Sequence, residues 1–368
     1  MIIDRNDRTA YWLAIDIANN AGKDKLSFED RILWVQENFD NIFDIDAHFD
    51  SPWECRNAVQ ALRKHLNGET IAHRVYLDAS NQALQLYAVL TGDRKTALTC
   101  NLANGSTMAD AYQMLADSMN KKLEGIIVLT RTNCKFAVMT TMYGKADGSL
   151  EIIKDVMQHI SDPTERVEAF AKKYNMTMDT TKRGIAFVTE LTTIFKESFA
   201  GIAPKALMAM EALTELNSTL VANQYTWTLP DGFKVKYRVR KDIPIESKKF
   251  ETKKGFPITL PEMNKVVYDR NENSRAMSPN VVHSVDGFVA REMIRRMNGK
   301  YITTIHDAFA CHPSHCDMMI QNYKDILCEM LTGTLLQDII QSISIESTFT
   351  KNTDLTCEDI QNSMYLLA

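Results

Sequence analysis

No apolar run in this chain approaches the ~20 residues that a bilayer-spanning helix needs. The first residues, "MIIDRNDRTAYW", bring charges in from residue 4 onward, unlike a signal peptide. Cysteine is sparse and odd in number, seven residues scattered along the chain. That pattern argues against a disulfide framework and for a reducing intracellular setting. Bulk positive charge is also lacking: 42 Lys and Arg against 47 Asp and Glu give a net charge of −5. A protein that coats nucleic acid by overall charge is therefore excluded, whereas a local basic channel is compatible with that sum. There are no internal repeats and no low-complexity segments. What is present is ordinary for a soluble globular protein: 45% hydrophobic and 24% charged residues. At 368 residues the chain can bury the cores of two or three sub-domains. The expectation is a soluble cytoplasmic protein without a membrane partner.

Helical spacing of apolar residues covers most of 8–40, with Ser27 and Asp30 placed as a capping box. It recurs at about 54–66, in "NQALQLYAVLTG", at 107–122, and in "GIIVLTRTNCKFAVMTTMYG", which begins apolar and continues with helical periodicity up to Gly144, a natural helix stop. Residues 150–222, 284–297 and 317–342 also read as helices, and 241–277 as charged loop. Short β-runs end at Asp78 and in "KYITTI", and "YTWTLPDGFKVKYRVR" is a hairpin about a Pro-Asp-Gly turn. Strands set among many helices predict an α+β fold rather than a regular βαβ series.

Two constellations suggest chemistry. Asp78 and Asp307 each stand at the end of a short β-run, 229 positions apart. Two carboxylates on adjacent strands can hold two Mg²⁺ ions for in-line phosphoryl or nucleotidyl transfer, although a single strand-end Asp is most often a turn former. Arg131, Lys135 and Tyr143 fall at about 0°, 40° and 120° around one helix, hence on one face. A bidentate cation and a second point charge about one turn apart suit a triphosphate, and a Tyr beside a Gly offers a flat platform for a base. The bland alternative for that face is a solvated basic stripe.

In the order D…RxxxKxxxxxxxYG…HD, these residues resemble the single-subunit DNA-dependent RNA polymerases of bacteriophages and mitochondria. "YLDASNQALQLYAVLTG" looks like their motif A, "RTNCKFAVMTTMYG" like motif B and "TTIHDAF" like motif C. "WLAIDIANNAGKDKLSFEDRILWVQENFDNI", "WTLPDGFKV", "SPNVVHSVDG" and the tail "EDIQNSMYLLA" have counterparts in the same order. The resemblance implies a right-hand palm-and-fingers architecture. Residues 1–106 would form the first part of the palm, 107–283 the fingers, with a specificity-type hairpin and loop at about 225–275, and 284–368 the second part of the palm. It implies that Asp78 and Asp307, with the backbone carbonyl of Ala79, bind two Mg²⁺ ions. Arg131, Lys135 and Lys25 would hold the incoming NTP, Tyr143 would sense the ribose and close on the new pair, and His283 would help read the sugar or the minor-groove edge. Tyr112 would lie near the nucleotide.

Family A DNA polymerases share this scaffold and are the nearest competitor. They carry a Glu five residues after the motif A Asp, which blocks a 2′-hydroxyl, where this chain has Ala83, and their His-Asp-Glu is here His306-Asp307-Ala308. Steric exclusion thus favours ribonucleotides. A further alternative is a non-catalytic, polymerase-like subunit that only binds nucleic acid.

No Gly-Arg dipeptide occurs, so the family's Asp-x-x-Gly-Arg segment has no counterpart, nor do the thumb and N-terminal domain. The resemblance is therefore greatest to the larger, catalytic subunit of a two-chain phage RNA polymerase acting in the host cytoplasm. The implied partners are DNA template, RNA product, a second polypeptide forming a heterodimer, and an accessory DNA-opening or single-strand-binding protein. Lys234, Lys236, Arg238, Arg240, Lys241, Lys248, Lys249, Lys253 and Lys254 put nine cations into 21 residues, suiting a surface that faces DNA phosphates. A lysine-blunted edge hairpin is the alternative. Cys311, His312, His315 and Cys316 lack the paired spacing of a closed zinc site, and none is expected there.

Overall fold

The computed structural model describes residues 2–43, 49–103, 107–124, 128–142, 152, 180–219, 224–238, 241–243, 246–251, 257–262, 265–267, 276–344 and 348–368. For 180–188, 218–219, 238 and the strands between 241 and 267 it describes the backbone alone. Helices surround a small antiparallel sheet, as an α+β fold requires. Strand β1 is Val75–Asp78, β2 Gln224–Thr228 and β3 Lys234–Arg238, followed by β4 Lys241–Ile243, β5 Glu246–Glu251, β6 Pro257–Glu262 and β7 Lys265–Val267. Strands β8, Ile302–Ile305, and β9, Ala308–Cys311, lie towards the end of the chain.

The central sheet has the order β1-β9-β8, with Asp78 opposite Ala308 and Ile305 also opposite Ala308. The stretch around His306 and Asp307 is thus not a strand end followed by loop. It is the two-residue turn of a hairpin whose return strand, "AFAC", is the central one. His306 takes a left-handed conformation with φ 54°, uncommon for a residue with a β-carbon, so the tight turn is held by its surroundings. The last residues extend the sheet beyond β1: Leu367 bridges Ala79, and the Ala368 N–H donates to the Asp78 carbonyl at 3.0 Å.

Behind β1 runs the helix Gln82–Thr91, buried at every position. Asn81 caps it, accepting from the Leu84 N–H at 3.1 Å, and Gly92 ends it with φ 68°. A helix buried all round must satisfy its own polar side chains. Gln85 does so by donating to the Cys100 and Leu366 carbonyls and accepting from the Tyr323 hydroxyl at 2.8 Å. Tyr87 pairs with Ser278 at 2.7 Å. These bonds lock the β1 end to the helices Met277–Arg296 and Cys316–Thr332.

The helix Arg8–Ala18 begins at Asp7, whose carboxylate accepts from the Thr9 and Ala10 N–H groups. It buries Trp12, Leu13, Ile15 and Ile17 against the helix Pro52–Leu66 and β1. Ser27 caps Phe28–Asn38, accepting from the Asp30 N–H as its spacing suggests. Gly333 divides the expected 317–342 helix into Cys316–Thr332 and Leu335–Ile343.

The Pro-Asp-Gly hairpin is β2 and β3. Its inner face is anchored by Trp227, which donates to Ser284 at 3.2 Å, and by Tyr237, which donates to Asn217 at 2.9 Å. Asp231 in the turn accepts from Arg291 at 2.6 Å. The region 241–277, read above as loop, is corrected: β4 pairs with β7 and β5 with β6, both antiparallel, and the following helix starts at Met277 rather than 284.

Candidate active site

Asp78 and Asp307 come together because β1 and β9 are paired neighbours. The Ala79 N–H donates to the Asp307 carbonyl at 3.2 Å, so the two acids sit across one rung of the sheet. Asp78 opens onto a cleft of about 300 Å³ that is also lined by Lys25, Ala79, Ala83, Tyr112, Arg131, Lys135 and Asp307. Eight of the sequence-predicted residues, from six separate segments, therefore share one wall or another of this cleft. Burial and the Asp307 charge push the Asp78 carboxyl up to about 6, against the Ala79 N–H and the charges of Lys25 and Lys135, which favour the carboxylate. Burial likewise raises Asp307, and the His306 charge opposes it.

The helix Ala111–Leu123 and the helix Arg131–Met142 form the opposite wall. Arg131 is not an unpaired cation: its Nε donates to Asp110, and its guanidinium lies 5.2 Å from the centre of the Tyr112 ring. Tyr112 is thereby a wall of the site rather than only a core residue, and its hydroxyl accepts from Asn81 at 3.2 Å. Lys135 is exposed on the cleft face of the Arg131–Met142 helix, one turn beyond Arg131. Lys25 is exposed and pairs with Asp24 at 2.6 Å. Ala83 lies in the cleft wall with 6% exposure, and its methyl group leaves the space that a longer side chain would fill.

His283 is exposed on the helix Met277–Arg296 and does not line the cleft. It faces Asp286, one turn along, which in turn feels the Asp307 charge. Asp286 is a third acid that sequence reasoning missed. Burial and the Asp307 charge raise its pKa, while His283, Gln82 and His306 oppose the rise. Its signal was the helical offset of three from His283, which has no meaning until the helix is docked on the sheet. Asp110 was missed too, although its place just ahead of an apolar helical run marks it as a cap.

Tyr143, Arg240, Lys253 and Lys254 lie outside the described residues. Lys234 and Lys236 are exposed on the outer face of β3, opposite Thr228 and Thr226, while Val235 and Tyr237 turn inward. Arg238 ends β3, Lys241 begins β4, and Lys248 and Lys249 are consecutive in β5. Cys311 and Cys316 are buried with their sulfurs 3.7 Å apart, and no cluster of three or more metal-ligating side chains occurs among the described residues. No helix among them is long and apolar enough to cross a membrane.

A family model described as DNA-dependent RNA polymerase matches residues 4–364. The chain is similar to "DNA-directed RNA polymerase 1, mitochondrial" of Arabidopsis thaliana, 26% identical across 90% of this chain and 36% of the relative. It is also similar to the "DNA-directed RNA polymerase" of Pseudomonas phage phiKMV, 23% identical across 97% of this chain and 47% of the relative. A "Probable DNA-directed RNA polymerase" of a Gelasinospora strain is 25% identical across 86% of this chain and 41% of the relative. The chain thus spans about a third to a half of the length of these relatives. In each of them the matching stretch is part of one longer chain, which lends no support to a separate second polypeptide.

Proposed function

The chain belongs to the DNA-dependent RNA polymerase family, and from that premise we propose that the cleft beside Asp78 and Asp307 adds NTPs to the 3′ end of RNA on a DNA template. The observation that supports this reading is the convergence of both acids with Lys25, Arg131 and Lys135 on one cleft. Binding alone needs no pair of carboxylates that repel each other, as the rise of Asp78 shows these do. The sheet β1-β9-β8 is then the palm, and the helices of 111–142 belong to the fingers, within the division 1–106, 107–283 and 284–368.

Asp78, Asp307 and the Ala79 carbonyl would hold two Mg²⁺ ions. They offer the hard oxygen donors that Mg²⁺ prefers, and the Asp286 carboxylate, which feels the Asp307 charge, adds to the negative field. When bound, the ions supply Lewis-acid neutralisation of the attacking 3′ oxygen and of the departing pyrophosphate. Arg131 and Lys135 bind the triphosphate, with Lys25 as a third cation at the rim. Tyr112 provides a flat wall, and Tyr143 would sense the ribose and close on the new base pair. Ala83 leaves room for the 2′-hydroxyl, which favours ribonucleotides over the DNA polymerase reading. His283 acts from outside the cleft through the Asp286 side. The outer face of β3 and the basic strands after it run along DNA phosphates.

The test is Mg²⁺-dependent incorporation of NTPs and of dNTPs on primed templates, with Asp307→Ala as control. The expected result is ribonucleotide incorporation that falls by about three orders of magnitude in the variant, as expected when electrostatic stabilisation of the reacting phosphate is removed. A fully active Asp307→Ala protein would sink the site assignment, and a preference for dNTPs would favour the DNA polymerase reading. Adding co-expressed phage proteins to the same assay tests for a second polypeptide or a DNA-opening factor through stimulation.

A further inference from the structure

Asp110 stands where three constraints meet. Its Oδ1 accepts from the N–H groups of Tyr112 at 3.0 Å and Gln113 at 3.2 Å, the first donors of the helix Ala111–Leu123. Its Oδ2 accepts from Arg131 Nε, at the head of the facing helix. Both side chains are about one-third exposed, so water competes only in part for the pair. The Tyr112 ring then covers a face of the same guanidinium. An arginine held by one edge and one face has little rotational freedom left. The edge that Asp110 takes is Nε, so the two terminal nitrogens of Arg131 stand outside the pair.

We propose that Asp110 is a positioning residue for the polyphosphate of the incoming nucleotide, clamping Arg131 by Nε so that its terminal nitrogens are presented to the phosphates. This rests on the nucleotide site proposed above and deepens it. Without the clamp, Arg131 must be ordered when the ligand arrives, and that loss of side-chain freedom weakens binding. The chain around the clamp reaches the reaction centre: Asn81, three residues after Asp78, caps its own helix and donates to the Tyr112 hydroxyl. Placement of the triphosphate is thereby tied to the β1 end that bears the acid.

The helix cap and the clamp are separable by substitution. Asn and Ser cap helices about as well as Asp, but neither offers a carboxylate to Arg131. Binding of ATP with Mg²⁺, and separately of inorganic tripolyphosphate, is measured by calorimetry on wild type, Asp110→Asn, Asp110→Ser and Arg131→Ala. Thermal unfolding is followed in parallel. The inference expects both Asp110 variants to bind both probes about tenfold more weakly, with an unchanged melting temperature. In an Arg131→Ala background the Asp110→Asn change should have no further effect. Wild-type affinity in both Asp110 variants, or an equal loss in the Arg131→Ala background, overturns the clamp while leaving the nucleotide site standing. A wild-type chain that binds neither probe overturns the nucleotide site itself, and the clamp with it.

Discussion

Asp78 keeps its proton up to about pH 6 because burial and the Asp307 charge both disfavour the carboxylate. Its folded value exceeds the ordinary 3.8, so the native state is favoured by the protonated form. That stabilising contribution is full below about pH 4 and is lost as pH rises through 6. Removing the charge should therefore help the metal-free protein only on the alkaline side. Asp78→Asn is expected to raise the melting temperature in EDTA at pH 8 by ~2 °C, with the gain fading between pH 6 and 4; a gain that persists unchanged at pH 4 would refute the electrostatic cause. Mg²⁺ should reverse the relation. Millimolar Mg²⁺ is expected to stabilise wild type at pH 8 by mass action on the native state, and Asp307→Ala should show little of that shift. Differential scanning fluorimetry reads both outcomes. At this scale the sequence singled out Asp78 and Asp307 in "YLDAS" and "TIHDAF", and the sheet brings the two side by side. Asp110 and Asp286 were not legible as site residues, because their partners, Arg131 and the Asp307 field, come from other helices and strands.

Elements whose burial alternates, or whose caps have side chains, were readable; those lacking both were not. Asn81 and Gly92 bracket the helix behind β1, and it forms between them. Strand β9 escaped because "AFAC" is a buried central strand without alternation, and its His-Asp turn lacks the Gly or Asn that usually announces a hairpin. In β5, "ESKKFE", charges fall on both parities, so period 2 is hidden and a strand looks like charged loop. Gly92 shows how tightly one element end can be set. Its φ is 68°, and a β-carbon there would lie 2.1 Å from the Asn352 carbonyl oxygen. The Asn352 N–H donates to the Thr91 carbonyl at 2.7 Å, so the two segments cannot part without losing that bond. Gly92→Ala thus adds a backbone clash to the left-handed strain, and a loss of about 3 kcal/mol or more in urea unfolding is expected. A loss below about 1 kcal/mol, the value for left-handed strain by itself, would show that the 348–355 segment yields freely.

For the whole molecule, the arithmetic of charge is misleading until it is placed. The net charge of −5 excludes bulk attraction to DNA, yet Lys234 and Lys236 stand exposed on one face of a hairpin whose other face is pinned by Trp227 and Tyr237. A pinned hairpin presents its lysines at fixed spacing, unlike a solvated tail, and the Asp231–Arg291 pair holds its turn to the helix Met277–Arg296. Each lysine that neutralises one phosphate releases about 0.9 counterions, so two of them contribute about 1.8 to the slope of log affinity against log salt. Lys234→Ala with Lys236→Ala should therefore weaken binding of a duplex DNA probe about uniformly across sequences and reduce that slope by roughly 2. The fold should be unaffected, since both side chains project away from the core. Fluorescence anisotropy of a labelled oligonucleotide across a salt series measures the slope directly. An unchanged slope would mean that the outer face of β3 meets solvent, and that its lysines serve only to blunt the edge of the hairpin.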